Sequence, residues 1–155
     1  MTNNTPAFFS VPDDHIIATT RIFQAPAATV FKAWTDPDHL KNWWGPNGFT
    51  NTFHVFEPVP GGKWSFTMHG PDGKNYQNDS VFIIIEPEKL IVFDHISQPQ
   101  FQIEAVFVPV SNDQTSLTFK MKFRSKEECD TIKAFAAGKN EENMDRLEKE
   151  LLKMK

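Results

Sequence analysis

Ser116-Leu117-Thr118-Phe119-Lys120-Met121-Lys122-Phe123-Arg124-Ser125-Lys126-Glu127-Glu128 contains the change of period that decides how this chain folds. Up to Phe123, the apolar residues 117, 119, 121 and 123 alternate with Ser116, Thr118, Lys120 and Lys122, the mark of a strand with one wet face. Ser125-Lys126-Glu127-Glu128 then matches the S-x-x-E capping box, so a helix starts at Lys126. Everything from Phe49 to this point reads as strand, and everything beyond it reads as helix.

Working back from that junction, Phe101, Ile103, Ala105 and Phe107 oppose Gln102 and Glu104 in a second alternating run. Leu90–Ser97 and Tyr76–Glu86 are two more strands, joined through Pro87-Glu88-Lys89. In Lys63–His69, Trp64, Phe66 and Met68 alternate with Ser65 and Thr67, and Phe49–Phe56 precedes it. Pro58-Val59-Pro60-Gly61-Gly62 and Gly70-Pro71-Asp72-Gly73 supply the turns. The β-branched run His15–Gln24 completes seven strands. No crossover helix interrupts residues 49–124, so the sheet is antiparallel.

Between the first and second strands, Pro26 and Asp36-Pro37 start two short helices, with Asp36 as the cap of the second. In the final helix, Ile132, Phe135 and Ala136 form a first apolar stripe, and Met144, Leu147, Leu151 and Met154 a second. Gly138 between them predicts a kink or brief break. The expected fold is α+β, a curved seven-stranded antiparallel sheet wrapped on a long C-terminal helix. Residues 15–155 form one domain, and 1–14, interrupted by Pro6 and Pro12, form a loose tail whose Phe8-Phe9 docks elsewhere.

At 155 residues the chain buries roughly two-thirds of its unfolded surface, enough for a core without staples. A net charge of −4, with Lys and Arg dispersed, argues against nucleic acid or an anionic membrane as partner. One cysteine, Cys129, excludes an internal disulfide and a cysteine-rich zinc site. No run reaches the length of a membrane span, and the first ten residues lack a secretory pattern, so the expected location is cytoplasmic. Fifteen Phe and four Trp accompany a single Tyr, so the aromatic surface is almost wholly apolar and serves either a packed core or a hollow.

Polar candidates are few. The five histidines, 15, 39, 54, 69 and 95, are fifteen or more residues apart and show no metal-ligand spacing, so no metal or cofactor is expected. Asp94 and His95 are adjacent in a strand and point to opposite faces; His95 shares the face of Ile91 and Phe93. Asn140 and Asn143 fall on or beside the buried stripe of the last helix, serving either neighbouring backbone or a ligand. Gly61-Gly62-Lys63 lacks the Ser or Thr and the helix of a phosphate loop. Trp43-Trp44-Gly45-Pro46 reads equally as a packed corner or as the rim of a pocket.

Several segments together resemble one family: Ala25-Pro26 to Val30-Phe31, Ala33-Trp34-Thr35-Asp36-Pro37, Trp43-Trp44-Gly45-Pro46, Pro60-Gly61-Gly62-Lys63-Trp64, Pro87-Glu88-Lys89-Leu90 and Asp145-Arg146-Leu147. They are similar to the SRPBCC superfamily, and within it to the branch related to the C-terminal domain of the activator of the 90-kDa heat-shock chaperone ATPase. The likeness runs from about Arg21 to Leu152. It implies a helix-grip fold, as in START domains and birch-pollen-type allergens, with a cavity between sheet and helix. Family members often carry an arginine just before Pro-Gly-Gly; this chain has Val59 there.

The expected function is therefore binding of a small hydrophobic or aromatic molecule. Trp64, Phe66, Met68, Phe101, Ile103, Phe119 and Met121 would line the cavity from the sheet, and Phe135, Met144 and Leu147 from the helix. Trp44 would stand at the rim, with His95 and Asn143 as orienting polar groups. Two alternatives are a chaperone-interacting protein and a polyketide-cyclase-type enzyme. The protein would act as a monomer or homodimer.

Overall fold

The computed structural model describes residues 11–155. The Phe8-Phe9 expectation lies outside them. Strand β1 (Ile16–Phe23) leads into helices α1 (Ala27–Thr35) and α2 (Pro37–Trp43). Six strands follow: β2 (Thr50–Phe56), β3 (Lys63–His69), β4 (Asn75–Glu86), β5 (Leu90–His95), β6 (Phe101–Ser111) and β7 (Gln114–Lys122). Helix α3 (Lys126–Lys153) comes last. Across the expected boundary between tail and domain, Asp13–His15 form a 3-10 turn, and His15 bonds through Nδ1 to the carbonyl of Phe123.

All seven strands form one antiparallel sheet in the order β1-β7-β6-β5-β4-β3-β2. Helices α1 and α2 therefore carry the chain from one sheet edge to the other, and a meander returns it. Register shifts at Phe53/Val55, Phe82/Ile84 and Pro109/Ser111 are bulges, which bend strands and increase their twist. The sheet curls accordingly, with Phe66, Phe82, Phe93, Ile103, Leu117 and Phe119 turned to the concave side. At the β2–β3 turn a side chain at Gly62 would collide with the Glu57 carbonyl, so only glycine fits.

The short helices start as their residues dictate. Pro26 is the cap of α1, one residue earlier than a first helical position, and the Asp36 carboxylate accepts from the amide of Asp38 to cap α2. Ser125 accepts from the amide of Glu128 at the start of α3. The helix then runs through Gly138 without the brief break that this glycine could have produced. Continuous backbone hydrogen bonding outweighs the roughly 1 kcal/mol propensity cost of one glycine.

Phe135 is the clear correction. It is 65% exposed and does not line any interior face. At 3.6 residues per turn it lies about 120° from the line through Cys129, Ala136 and Leu147, which are all buried. The true stripe passes through the polar Asn140 and Asn143, so an apolar reading of the helix was drawn toward Phe135 instead.

Candidate functional site

The concave side holds a dense aromatic cluster. Trp44, from the corner after α2, sits with its ring 5.2 Å from Trp64, 5.6 Å from Trp34 and 6.1 Å from both Phe93 and Phe119. Trp44 is partly buried and packs against the core through these contacts. Trp64 stacks on Phe66 at 4.5 Å. Ile103, Met144 and Leu147 are buried beside this cluster, and Phe119 and Met121 nearly so.

Two side chains of α3 fix the corner. Asn143 donates to the Trp43 carbonyl at 2.7 Å and accepts from the Gly45 amide at 3.3 Å. Arg146, one of the segment Asp145-Arg146-Leu147, turns toward the corner. Its Nη1 donates to the carbonyls of Trp44, Gly45 and Pro46, and its Nη2 to those of Asn42 and Phe49. Burial lowers its pKa from the ordinary value, but a guanidinium stays charged. Further along, the buried Glu150 accepts from His39 at 2.8 Å and Asn42 at 3.2 Å. Sequence marks Arg146 only within the Asp145-Arg146-Leu147 segment of the resemblance, and its site is built from five backbone carbonyls of the end of α2 and the loop after it.

Space opens at the other end of the sheet. A cavity of about 560 Å³, open to solvent, lies between β3, β4 and the β5–β6 loop. Phe49, Met68, Tyr76 and Phe101 give it apolar walls, and Asn75, Gln77, Asn78, His95 and Gln98 are its polar lining. Of the expected lining residues, Met68, Phe101 and His95 are brought together here. Trp64, Phe66, Ile103, Phe119, Met144 and Leu147 stand instead in the packed interior, the partly buried Trp44 packs against them, and Asn143 is occupied by the corner. Met121 receives a hydrogen bond at sulfur from Asn140, 3.5 Å away. A second hollow of about 490 Å³ sits under the first turns of α3, floored by Phe123 and Ile132. Gln98 and Pro99 border both.

His95 is the best-defined polar group of the cavity. It is 7% exposed and lies parallel to Phe101 at 4.5 Å. Its Nδ1 donates to the Pro99 carbonyl at 2.8 Å, while Nε2 lies 2.7 Å from Oδ1 of Asn78 and 3.4 Å from Oγ of Ser97. Burial pushes its pKa below the usual histidine value, and the Pro99 carbonyl and Asp79 only partly offset this. Asp94 points to the opposite face and accepts from Gln102 at 3.0 Å. Among the described residues no three His, Cys, Asp or Glu side chains gather as a metal site. No described helix is long and apolar enough to cross a membrane.

Residues missed from sequence include Phe49, Asn78 and Ser80. The available signal was parity: Tyr76, Asn78, Ser80 and Phe82 share one face of β4, so two polar residues interrupt an otherwise apolar face. Buried donors without a hydrogen-bond partner among the described residues include Trp34 Nε1, Trp64 Nε1 and Ser80 Oγ.

A curved seven-stranded antiparallel sheet gripping a C-terminal helix, with a cavity at its open end, defines the helix-grip class of α+β proteins. The chain belongs to the family described as Activator of Hsp90 ATPase homolog 1-like protein, whose pattern matches residues 24–152. Solved structures agree in fold. A protein from Nitrosomonas europaea is 18% identical, with a TM-score of 0.85 over 93% of this chain and 98% of its own. One from Arthrobacter aurescens is 24% identical, with a TM-score of 0.83 over 94% and 92%. An AHSA1 protein from Silicibacter pomeroyi is 16% identical, with a TM-score of 0.74 over 90% and 99%. No curated protein matches the chain.

Proposed function

We propose that this protein binds a small apolar or aromatic molecule in the open cavity between β3, β4 and the β5–β6 loop. The supporting observation is a hollow of about 560 Å³ whose lining combines aromatic and thioether side chains with polar ones, Asn78 and His95 among them. That size and mixture suit a drug-sized ligand. The packed aromatic cluster around Trp44 and Trp64 acts as the rigid back of the site, a narrower role than lining a deep chamber. Binding is favoured over catalysis because both ring nitrogens of His95 already face protein oxygens, leaving no free base. A chaperone partner is supported by the family description alone.

Thermal unfolding with a panel of naphthalene, indole and fatty-acid probes tests this. At a hundredfold excess over Kd, a ligand raises the Tm of a chain this size by about 5 °C or more. Phe101→Ala and Met68→Trp should remove the shift, whereas Val108→Ala, at an exposed site away from the cavity, should keep it. No shift with any probe removes the reading.

A further inference from the structure

The outer face of the sheet is buried at one end and open at the other, against the polarity of its residues. On β6, Gln102, Glu104, Val106 and Val108 point away from the helices, opposite in parity to the core residues Ile103, Ala105 and Phe107. Val108 is 52% exposed and Ile22, in the same cross-strand row, 51%, while Gln102 is 0% exposed. Lys122, the partner of Gln102 on β7, is 6% exposed, and Val92, on the same face of β5, is 0%. Aliphatic side chains thus stand in water while an amide, an ammonium and a valine on the same surface are shielded, the reverse of the ordinary preference.

Lateral pairing serves Lys122, with Glu104 at 3.1 Å, and Gln102, with Asp94 at 3.0 Å, yet it does not cover Val92. The helices pack on the concave side, α1 with Phe31 against Phe107 and α3 with Leu147 in the core, so the cover comes from elsewhere.

The described residues begin at this same end of the sheet. Ile16, which opens β1, is the cross-strand partner of Lys122, and the amide of Phe123 donates to the His15 carbonyl. Ten residues precede Val11. Extended, they reach about 33 Å, whereas β1 to β5 is three strand spacings, about 14 Å. Residues 1–10 carry no charged side chain: Thr2-Asn3-Asn4-Thr5 offers hydroxyls and amides, and Ala7-Phe8-Phe9 is apolar. That composition suits a patch made of a buried valine, a buried amide and an ion pair already complete. We infer that the N-terminal segment is the occupant of this patch, with Phe8-Phe9 laid over Val92 and Gln102. The covered strands β5 and β6 bear His95 and Phe101 on their other face, so the segment braces the cavity wall from behind. The inference does not depend on what the cavity binds.

Lysine acetylation of the full chain, read residue by residue by mass spectrometry, tests it. Lys122 should react at least about tenfold more slowly than Lys153, whose side chain is 72% exposed. In Phe8→Ser/Phe9→Ser the Lys122 rate should rise about tenfold or more with Lys153 unchanged, and the Tm should fall by about 5 °C, because two buried rings are lost. Should that variant fail to fold, Phe8→Ala and Phe9→Ala taken singly should each raise the Lys122 rate about threefold. A folded double variant in which Lys122 stays slow overturns the inference and assigns the shielding to Asp94, Glu104 and Lys120. Protection of Lys122 that disappears when the parent is diluted about a hundredfold also overturns it, the occupant then being a second copy.

Discussion

Arg146 shows how much one side chain can decide. Five carbonyls of residues 42–49 point at its guanidinium, so the corner that delivers Trp44 to the interior is organised around a charge from α3. Replacing it with Met keeps most of the aliphatic stem and leaves those carbonyls unpaired. The expected loss is about 3 kcal/mol, read from urea unfolding. Lys should rescue little, since an ammonium offers three donors without the planar fork that spans two sets of acceptors. An Arg146→Met protein as stable as the parent would show that the cradle is incidental. Sequence marked this residue only as part of the Asp145-Arg146-Leu147 segment and could not reveal its role, because charges spaced four apart on a helix normally face water. His95 was the opposite case: strand parity alone put it on the face of Phe93, and its partner Asn78, also on the cavity side, follows from the same parity on β4.

At the scale of elements, the strands were legible because some alternate cleanly, others such as β5 are continuous apolar runs, and turn residues separate them. Helix α3 was legible in its start and span but not in its phase. Its buried line includes Asn143 and Glu150, whose polarity hides the stripe, and Phe135 lies off that line at 65% exposure. Gly138 belongs here too. It sits inside continuous helix, is exposed, and a side-chain carbon there would meet nothing within 4 Å. Gly138→Ala should therefore stabilise the protein by about 0.5–1 kcal/mol, measured as a higher urea midpoint with unchanged slope. A lower midpoint would mean that the glycine serves some local distortion of the helix.

For the whole molecule, α3 is what closes the fold. Beyond Lys139 it contributes Met144, Leu147 and Leu151 to the core, Asn143 and Arg146 to the corner, and Glu150 to α2. It also holds β1, where Arg21 pairs with Glu141 at 2.8 Å and Asp145 at 2.7 Å. A chain ended after Lys139 should lose its near-ultraviolet circular dichroism and its sigmoidal melt, since the aromatic cluster would open on one side. Retention of both would show that sheet and short helices fold alone. The sequence by itself determined the order of elements, the antiparallel sheet and the residues sharing each strand face, because those follow from local periodicity, turn chemistry and caps. The tertiary structure alone decided that Trp44 packs against the core and that space remains at the end near Met68, His95 and Phe101. Such outcomes depend on how side chains distant in sequence share one volume, and neither period nor composition encodes that.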